Sequence, residues 1–397
     1  MAKRFALLIT LALLCTPGLT APAGAARGME VAAQDDLLLL YQGGMPSQFM
    51  DLDLAYRRLR GIQVSRIRMN VLWASAVVSE QRELHRKPKR VRYNWSLYDQ
   101  AIRAAKRRGM KVQLTLTGPA PAWATPKRSS AKGYYRPNAS KFREFAKAVA
   151  RRYKRKVDRF SIWNEPNWYT WLGPLKHAPL IYRKLYIAGY KAIKKQHPRA
   201  RVLLGELVPY AQGKRSMAPL EFLRKMTCLG GSYKKKRRLA KRYCKYRLTA
   251  DGVAHHPYDF KNPPWRKRRG RDNVTIATLG RLTRALDTMK KRRVLMPRRT
   301  KTMPLHLTEF GYFRTGPRRI SERRRARWTV YGFRIARKNP RVKSMLQYVF
   351  VQPPGGSSFD LSLVDPDGAK TRTWHKLRSW ARYGARKKQI KRPGRWR

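Results

Sequence analysis

Residues 95–118 read WSLYDQAIRAAKRRGMKVQLTLTG, and the fold turns on how this stretch divides. From Trp95 to Arg108 the apolar residues Leu97, Ile102 and Ala105 fall three to five positions apart, which predicts an amphipathic helix. KVQLTLTG (111–118) then reads as a buried strand. Working outward, the same alternation recurs. Strands are predicted at DDLLLLYQ (35–42), QVSRIRMN (63–70), RFSIWNE (159–165), RVLLGELV (201–208), DGVAHHPY (251–258), MPLHLTEF (303–310) and SMLQYVFV (344–351). Helices are predicted near 48–60, 139–155, 178–196, 274–291, 321–338 and 370–383, with one more near 218–226.

Strands that alternate with helices pair in parallel, because each crossover needs a helix. Eight such units in 397 residues predict an α/β chain closed into a (β/α)8 TIM barrel, a single domain over 30–385 with enlarged βα loops. An open doubly wound sheet is the alternative, but no G-x-G-x-x-G follows the first strand. KNPPWRKRRGRDN (261–273) reads as a long loop rather than a linker between domains.

The start of the chain carries a different signal. MAKR is basic, FALLITLALLC is apolar and APAGAA is small, so residues 1–25 are expected to be a secretory signal peptide. That apolar run is too short to span a bilayer, and no second long one follows. With Cys15 in the signal, Cys228 and Cys244 remain, 16 positions apart, and an exported chain would join them in a disulfide. The expected location is secreted or cell-wall associated, as a monomer.

The charge is extreme: 92 Lys and Arg against 22 Asp and Glu, a formal +70. Such a field favours polyanionic neighbours, including an acidic cell-wall polymer. Zinc-finger spacing and aromatic RNA-binding strands are absent, so no nucleic-acid partner is expected. The end of the chain, RKKQIKRPGRWR (386–397), reads as a disordered basic tail.

In a barrel of this kind, chemistry is built at the C-terminal ends of the strands. Those ends offer Arg68, Asn70 and Trp73 after the second strand and Trp123 after the third. They continue with Asn164, Glu165 and Trp168, Glu206, His255, His256 and Tyr258, then Glu309 and Phe313. A carboxylate buried at a strand end costs free energy unless it is paired or used. Glu165 and Glu309 facing each other across an aromatic-lined cleft could cleave a glycosidic bond, one protonated and the other ionised. Arg68 beside Glu309 would keep that group charged, and its charge would raise the pKa of Glu165. Glu206 is read as a subsite or salt-bridge residue. His255, next to His256, faces another side of its strand. No His, Asp or Cys set stands at metal spacing, and neither a metal nor another cofactor is expected.

SIWNEPN (161–167) resembles the acid/base strand of the large clan of (β/α)8 retaining glycoside hydrolases that includes family 5 cellulases and family 39 β-xylosidases. RIRMNVLW (66–73), residues 98–124, DGVAHHPY and LHLTEFG (305–311) resemble the clan too, in its order, over roughly 35 to 350. The resemblance implies Glu165 as acid/base and Glu309 as nucleophile. It implies Asn164 at the sugar 2-hydroxyl, Arg68 and Tyr258 hydrogen-bonded to the nucleophile, and His256 beside substrate or acid/base. Trp123 and Trp168 are the expected aromatic platforms for a carbohydrate substrate. One departure stands out: where the clan places a tryptophan after the eighth strand, LQYVFVQPPGG (346–356) has Tyr348, Phe350 and Gln352. The function implied is an exported retaining glycoside hydrolase of β-linked oligo- or polysaccharide. A non-catalytic wall-binding protein on the same scaffold, or a transglycosylase using the same residues, is the alternative.

Overall fold

A computed structural model describes residues 28–41, 50–126, 133–353 and 359–396; the signal segment 1–25 and Cys15 lie outside them. Eight parallel strands close into a barrel: β1 (Glu30–Gln34), β2 (Val64–Leu72), β3 (Lys111–Thr117), β4 (Arg159–Ile162), β5 (Arg201–Leu207), β6 (Gly252–His255), β7 (Leu305–Leu307) and β8 (Val342–Tyr348). Each pairs with its neighbours in sequence, and β8 with β1. The main outer helices are α1 (Leu52–Gly61), α2 (Ser96–Arg107), α3 (Ala139–Tyr153), α4 (Ala178–Gln196), α5 (Pro219–Met226), α6 (Leu279–Lys291), α7 (Glu322–Lys338) and α8 (Arg372–Arg386). The parallel pair Leu248–Ala250 and Leu295–Pro297 forms a small separate sheet that the sequence reading did not anticipate. Among the described residues, no helix is long and apolar enough to cross a membrane.

The strands alternate by parity. Ile67, Met69 and Val71 of β2, Val112, Leu114 and Leu116 of β3, and Phe160 and Ile162 of β4 join the main hydrophobic core under the helices. The intervening Arg66, Arg68, Gln113, Thr115, Arg159 and Ser161 are buried in the barrel interior. The lumen is therefore polar, and its layers are held by ions. At the amino-terminal end, Arg66 binds Glu30 (2.9 Å) and Asp158 (2.6 Å). A second layer, at the carboxy-terminal end, forms the site described below.

The first strand lies elsewhere than expected. Residues 35–41 of the expected DDLLLLYQ strand (Gln42 lies outside the described residues) are not a strand: Asp35 caps a helical turn, Asp36–Leu39, by accepting from the Leu38 N–H at 3.2 Å. Its other oxygen accepts from Phe350 (3.1 Å) and Val351 (2.9 Å), so one aspartate ties the exits of β1 and β8 together. The strand itself is EVAAQ, wholly buried but with only valine as a strong strand former.

The carboxy-terminal tail is also ordered, against expectation. Met29 donates to Gln389 (3.0 Å), Lys391 to Met29 (3.0 Å) and Gly394 to Gly109 (2.8 Å). Trp396 lies under the Arg60 and Arg108 guanidiniums, at 5.7 and 5.6 Å from its ring centre. These contacts lay the tail along the amino-terminal floor of the barrel. Cys228 and Cys244 form the expected disulfide.

On β5 the ladder slips between Gly205 and Leu207, a bulge that re-aims the residue between them, Glu206. Gly205 has φ +111°, and an added Cβ would stand 2.5 Å from the Ala254 carbonyl oxygen. Tyr182 of α4 pins the bulge, accepting from the Gly205 N–H at 2.7 Å and donating to Ile162 at 3.0 Å. Gly205→Ala is expected to cost roughly 2–4 kcal/mol from backbone strain and overpacking. A urea midpoint unchanged from wild type would refute this account of the bulge.

Candidate active site

The carboxy-terminal end of the barrel gathers three glutamates from three strands around one arginine. Arg68, inward-facing on β2 and 1% exposed, sends Nη1 to Glu309 (2.9 Å) and Nη2 to Asn164 (2.7 Å). Its Nε lies 3.1 Å from both Thr115 and Glu206, and further contacts reach Gln34 and the second Glu206 oxygen. Glu206, fully buried, also accepts from Thr115 at 3.0 Å. Tyr258 donates to the free oxygen of Glu309 at 3.0 Å. His256 places Nδ1 2.8 Å from Glu165 and 3.4 Å from Glu309.

Glu165 and Glu309 therefore meet. One oxygen of each and a ring nitrogen of His256 all lie within 4.8 Å of one another. The backbone that presents them is strained: Trp163, Glu165 and Glu206 have φ of +66°, +41° and +66°. Conformations of this kind cost about 1–3 kcal/mol each and persist where surrounding structure imposes them. Here the Glu165 N–H is fixed on the Glu206 carbonyl at 3.0 Å, and Trp168 N–H on the Glu165 carbonyl at 2.9 Å.

Burial drives the electrostatics. One guanidinium cannot neutralise three buried carboxylates, so the proton settles on the one that does not touch it. That is Glu165. Burial pushes its carboxyl well above the usual range, and the charges of Glu309 and Glu206 push it further. Burial, against the pull of Arg68 and with the push of the Glu206 charge, raises Glu309 to about 7, while hydrogen bonds from Tyr258 and Arg68 support its ionised form. Burial, Arg68 and His255 hold His256 well below the usual imidazole range. A neutral His256 shares one hydrogen bond with Glu165 through Nδ1, and the ring's tautomer sets which of the two carries the proton. Among the described residues, Glu165, His256 and Glu309 are also the donors that could hold a cation. Two of those lone-pair directions already receive Arg68 and Tyr258 on Glu309.

Arg68, Asn164, His256 and Tyr258 are gathered around the two glutamates. Trp168 lies part-exposed beside Glu165. Trp123 does not line the cleft. It is 2% exposed, packs edge-on against Trp73 at 5.9 Å, and donates its ring N–H to Gln81 at 3.0 Å. Lys141 sits 5.8 Å over its ring. The short 3-10 turn Ala122–Ala124 folds this indole back into the Trp73–Phe142–Phe145 core, so it offers a sugar no face. His255 is a core residue bonded to the Val274 carbonyl at 2.8 Å.

Gln34, Gln113 and Thr115 were missed. The polar parity of Gln113, Thr115 and Thr117 in an otherwise apolar strand was the available signal, while Gln34 was hidden by the misplaced first strand. Tyr348 was noted only as a replacement for tryptophan. It ends β8 and lies near enough to Glu309 for that carboxylate to help hold its phenol protonated, after burial. Beyond it, Tyr258, Phe260, Phe313 and Phe359 form an aromatic wall, with Tyr258 stacked on Phe260 at 4.5 Å.

Neither a protein-family profile nor a curated protein matches the sequence. Solved structures do. A family 39 glycoside hydrolase from the gut symbiont Bacteroides cellulosilyticus WH2 superposes with a TM-score of 0.62 at 17% identity, over 89% of this chain and 64% of that one. A GH5_18 protein from Streptomyces cattleya, solved in complex with GlcNAc, gives 0.60 at 15% identity, over 93% and 83%. A monomeric β-xylosidase from Caulobacter crescentus CB15 gives 0.56 at 17%, over 91% and 69%. This chain spans less than two thirds of the first of these. It carries, in divergent form, the closed (β/α)8 barrel fold of these family 39 and family 5 glycoside hydrolases.

Proposed function

We propose that the chain is an exported glycosidase that cleaves β-linked glycans with retention, by double displacement. The observation that carries the reading is the facing pair: oxygens of Glu165 and Glu309 within 4.8 Å, with unlike electrostatic surroundings. Retaining enzymes place their carboxyl groups about 5–5.5 Å apart, whereas inverting ones leave about 6.5–9.5 Å for a water. In this reading Glu309 attacks the anomeric carbon while Glu165 donates its proton to the leaving oxygen. A glycosyl ester on Glu309 results. Glu165, now ionised, removes a proton from water, which attacks the same carbon and releases the sugar with its original configuration. In this reading Asn164, held by Arg68, binds the sugar 2-hydroxyl, and the part-exposed Phe260 and Phe359 of the aromatic wall meet the C–H faces of a pyranose. The disulfide and the apolar leader support export.

Proton NMR of the first product formed from aryl β-glycosides tests the mechanism directly. Xylosides, glucosides and mannosides belong in the panel, because neighbours of the fold include a β-xylosidase and an exo-β-1,4-mannosidase. The β anomer is expected to appear first and then mutarotate. Initial release of the α anomer would overturn retention.

A further inference from the structure

The opposite end of the barrel holds a cavity of about 250 Å³, which the chemistry above does not use. Its walls are the first residues of the strands. Arg159 opens β4, Arg201 opens β5, Lys343 stands near the start of β8, and Arg299 and the tail residue Lys391 complete the ring. Two carboxylates also face it, and both are engaged. Glu30 is held by Arg66 at 2.9 Å and Arg159 at 2.8 Å, and Asp251 by Lys194 at 2.6 Å and Arg299 at 3.5 Å. Positive charge is left over.

The decisive group is Arg159. It is 1% exposed, and among the described residues its Nε–H has no acceptor. A buried donor without an acceptor is costly even on a guanidinium paired elsewhere, because that N–H has lost water and gained nothing in exchange. Burial and the neighbouring Arg66 push this guanidinium down to about 10, so Glu30 does not fully compensate it. Arg201, Lys343 and Lys391 are exposed at the rim; Lys343 donates to the Pro340 carbonyl at 2.8 Å and Lys391 lies 3.9 Å from Glu30, solvent-facing contacts that a ligand's oxygens can replace. The volume is several times a water molecule's share of the liquid, about 30 Å³. A planar guanidinium fork at the base and ammonium groups at the rim match the oxygens of a tetrahedral anion.

We infer that the amino-terminal mouth of the barrel is a binding site for a phosphate-class oxyanion, held by Arg159 with Arg201, Lys343 and Lys391. The anion is either free or one phosphodiester of a polyanionic chain, since both present the same oxygens. This site is separate from the glutamates and independent of the reaction proposed for them.

Isothermal titration of the oxidised protein with inorganic phosphate at constant ionic strength tests it. One saturable site is expected. The double variant Arg201→Ala/Lys343→Ala alters only exposed side chains and should bind about tenfold more weakly, the scale of a lost charge-assisted hydrogen bond. Lys147→Ala/Arg151→Ala, which removes the same charge from exposed positions on α3, should bind as wild type does. Equal weakening in both variants, or heat that never saturates, would show that phosphate answers only to the overall charge, and the site would be rejected. A glycerol phosphate oligomer separates the two sources. If phosphate displaces it and the pocket variant loses it, the ligand is the polymer; if it ignores both, the ligand is the free anion.

Discussion

Glu309→Ala is expected to lose at least about 10⁴-fold in kcat on every substrate, whatever the leaving group, because no covalent intermediate forms without the nucleophile. The surroundings of Glu309 give the substitution a second signature. Arg68 would lose the carboxylate at 2.9 Å but keep Glu206, so the guanidinium stays paired and the barrel stays folded. Removing that negative charge should also let Glu165 ionise at lower pH, since Glu309 is the leading charge acting to raise it. Circular dichroism should therefore match wild type while turnover vanishes. Substantial residual activity in a folded variant would take the nucleophile away from β7 and end the double-displacement reading.

Glu165→Ala should behave differently. A sugar leaving group needs a proton, and losing the general acid should slow its departure about 10²–10⁴-fold. An activated phenol needs none, so glycosylation by such substrates should be nearly spared and the glycosyl-enzyme should accumulate. Azide, which attacks without a general base, should then restore turnover and yield a glycosyl azide. The pH profile follows from the same two groups. In wild type kcat/KM should rise as Glu309 ionises and fall as Glu165 loses its proton, a bell whose alkaline limb belongs to the more strongly raised carboxyl. Glu165→Ala should erase that limb and leave the acid one. If the two alanine variants respond alike across leaving groups, the roles are misassigned.

Most of the architecture was legible because helix and strand periods alternate cleanly, as in 95–118. The cluster of glutamates at the barrel's end was legible because acids are scarce in this chain and three of them end strands. What was not legible failed for local reasons. The leucine run after Asp35 imitates a strand, and nothing in the sequence announces that Asp35 is spent on capping one turn and joining two strand exits. EVAAQ is a strand by its position between β2 and β8, not by its propensity. Trp123 follows the third strand at the spacing of a platform residue, but which way an indole folds from a short turn is decided by Trp73 and Phe145. The tail reads as disordered because its charge says so, whereas Ile390 and Trp396 supply the contacts that hold it.

That tail has a geometric consequence. Gly28 donates to Lys388 at 3.2 Å, and Trp396 lies against Arg60 and Arg108, so the first and the last described residues both sit on the face away from the glutamates. Whatever is joined to either end, be it a fusion partner, a tether or a solid support, would hold the molecule by its floor. The glutamates would then lie at the end of the barrel turned away from the anchoring surface.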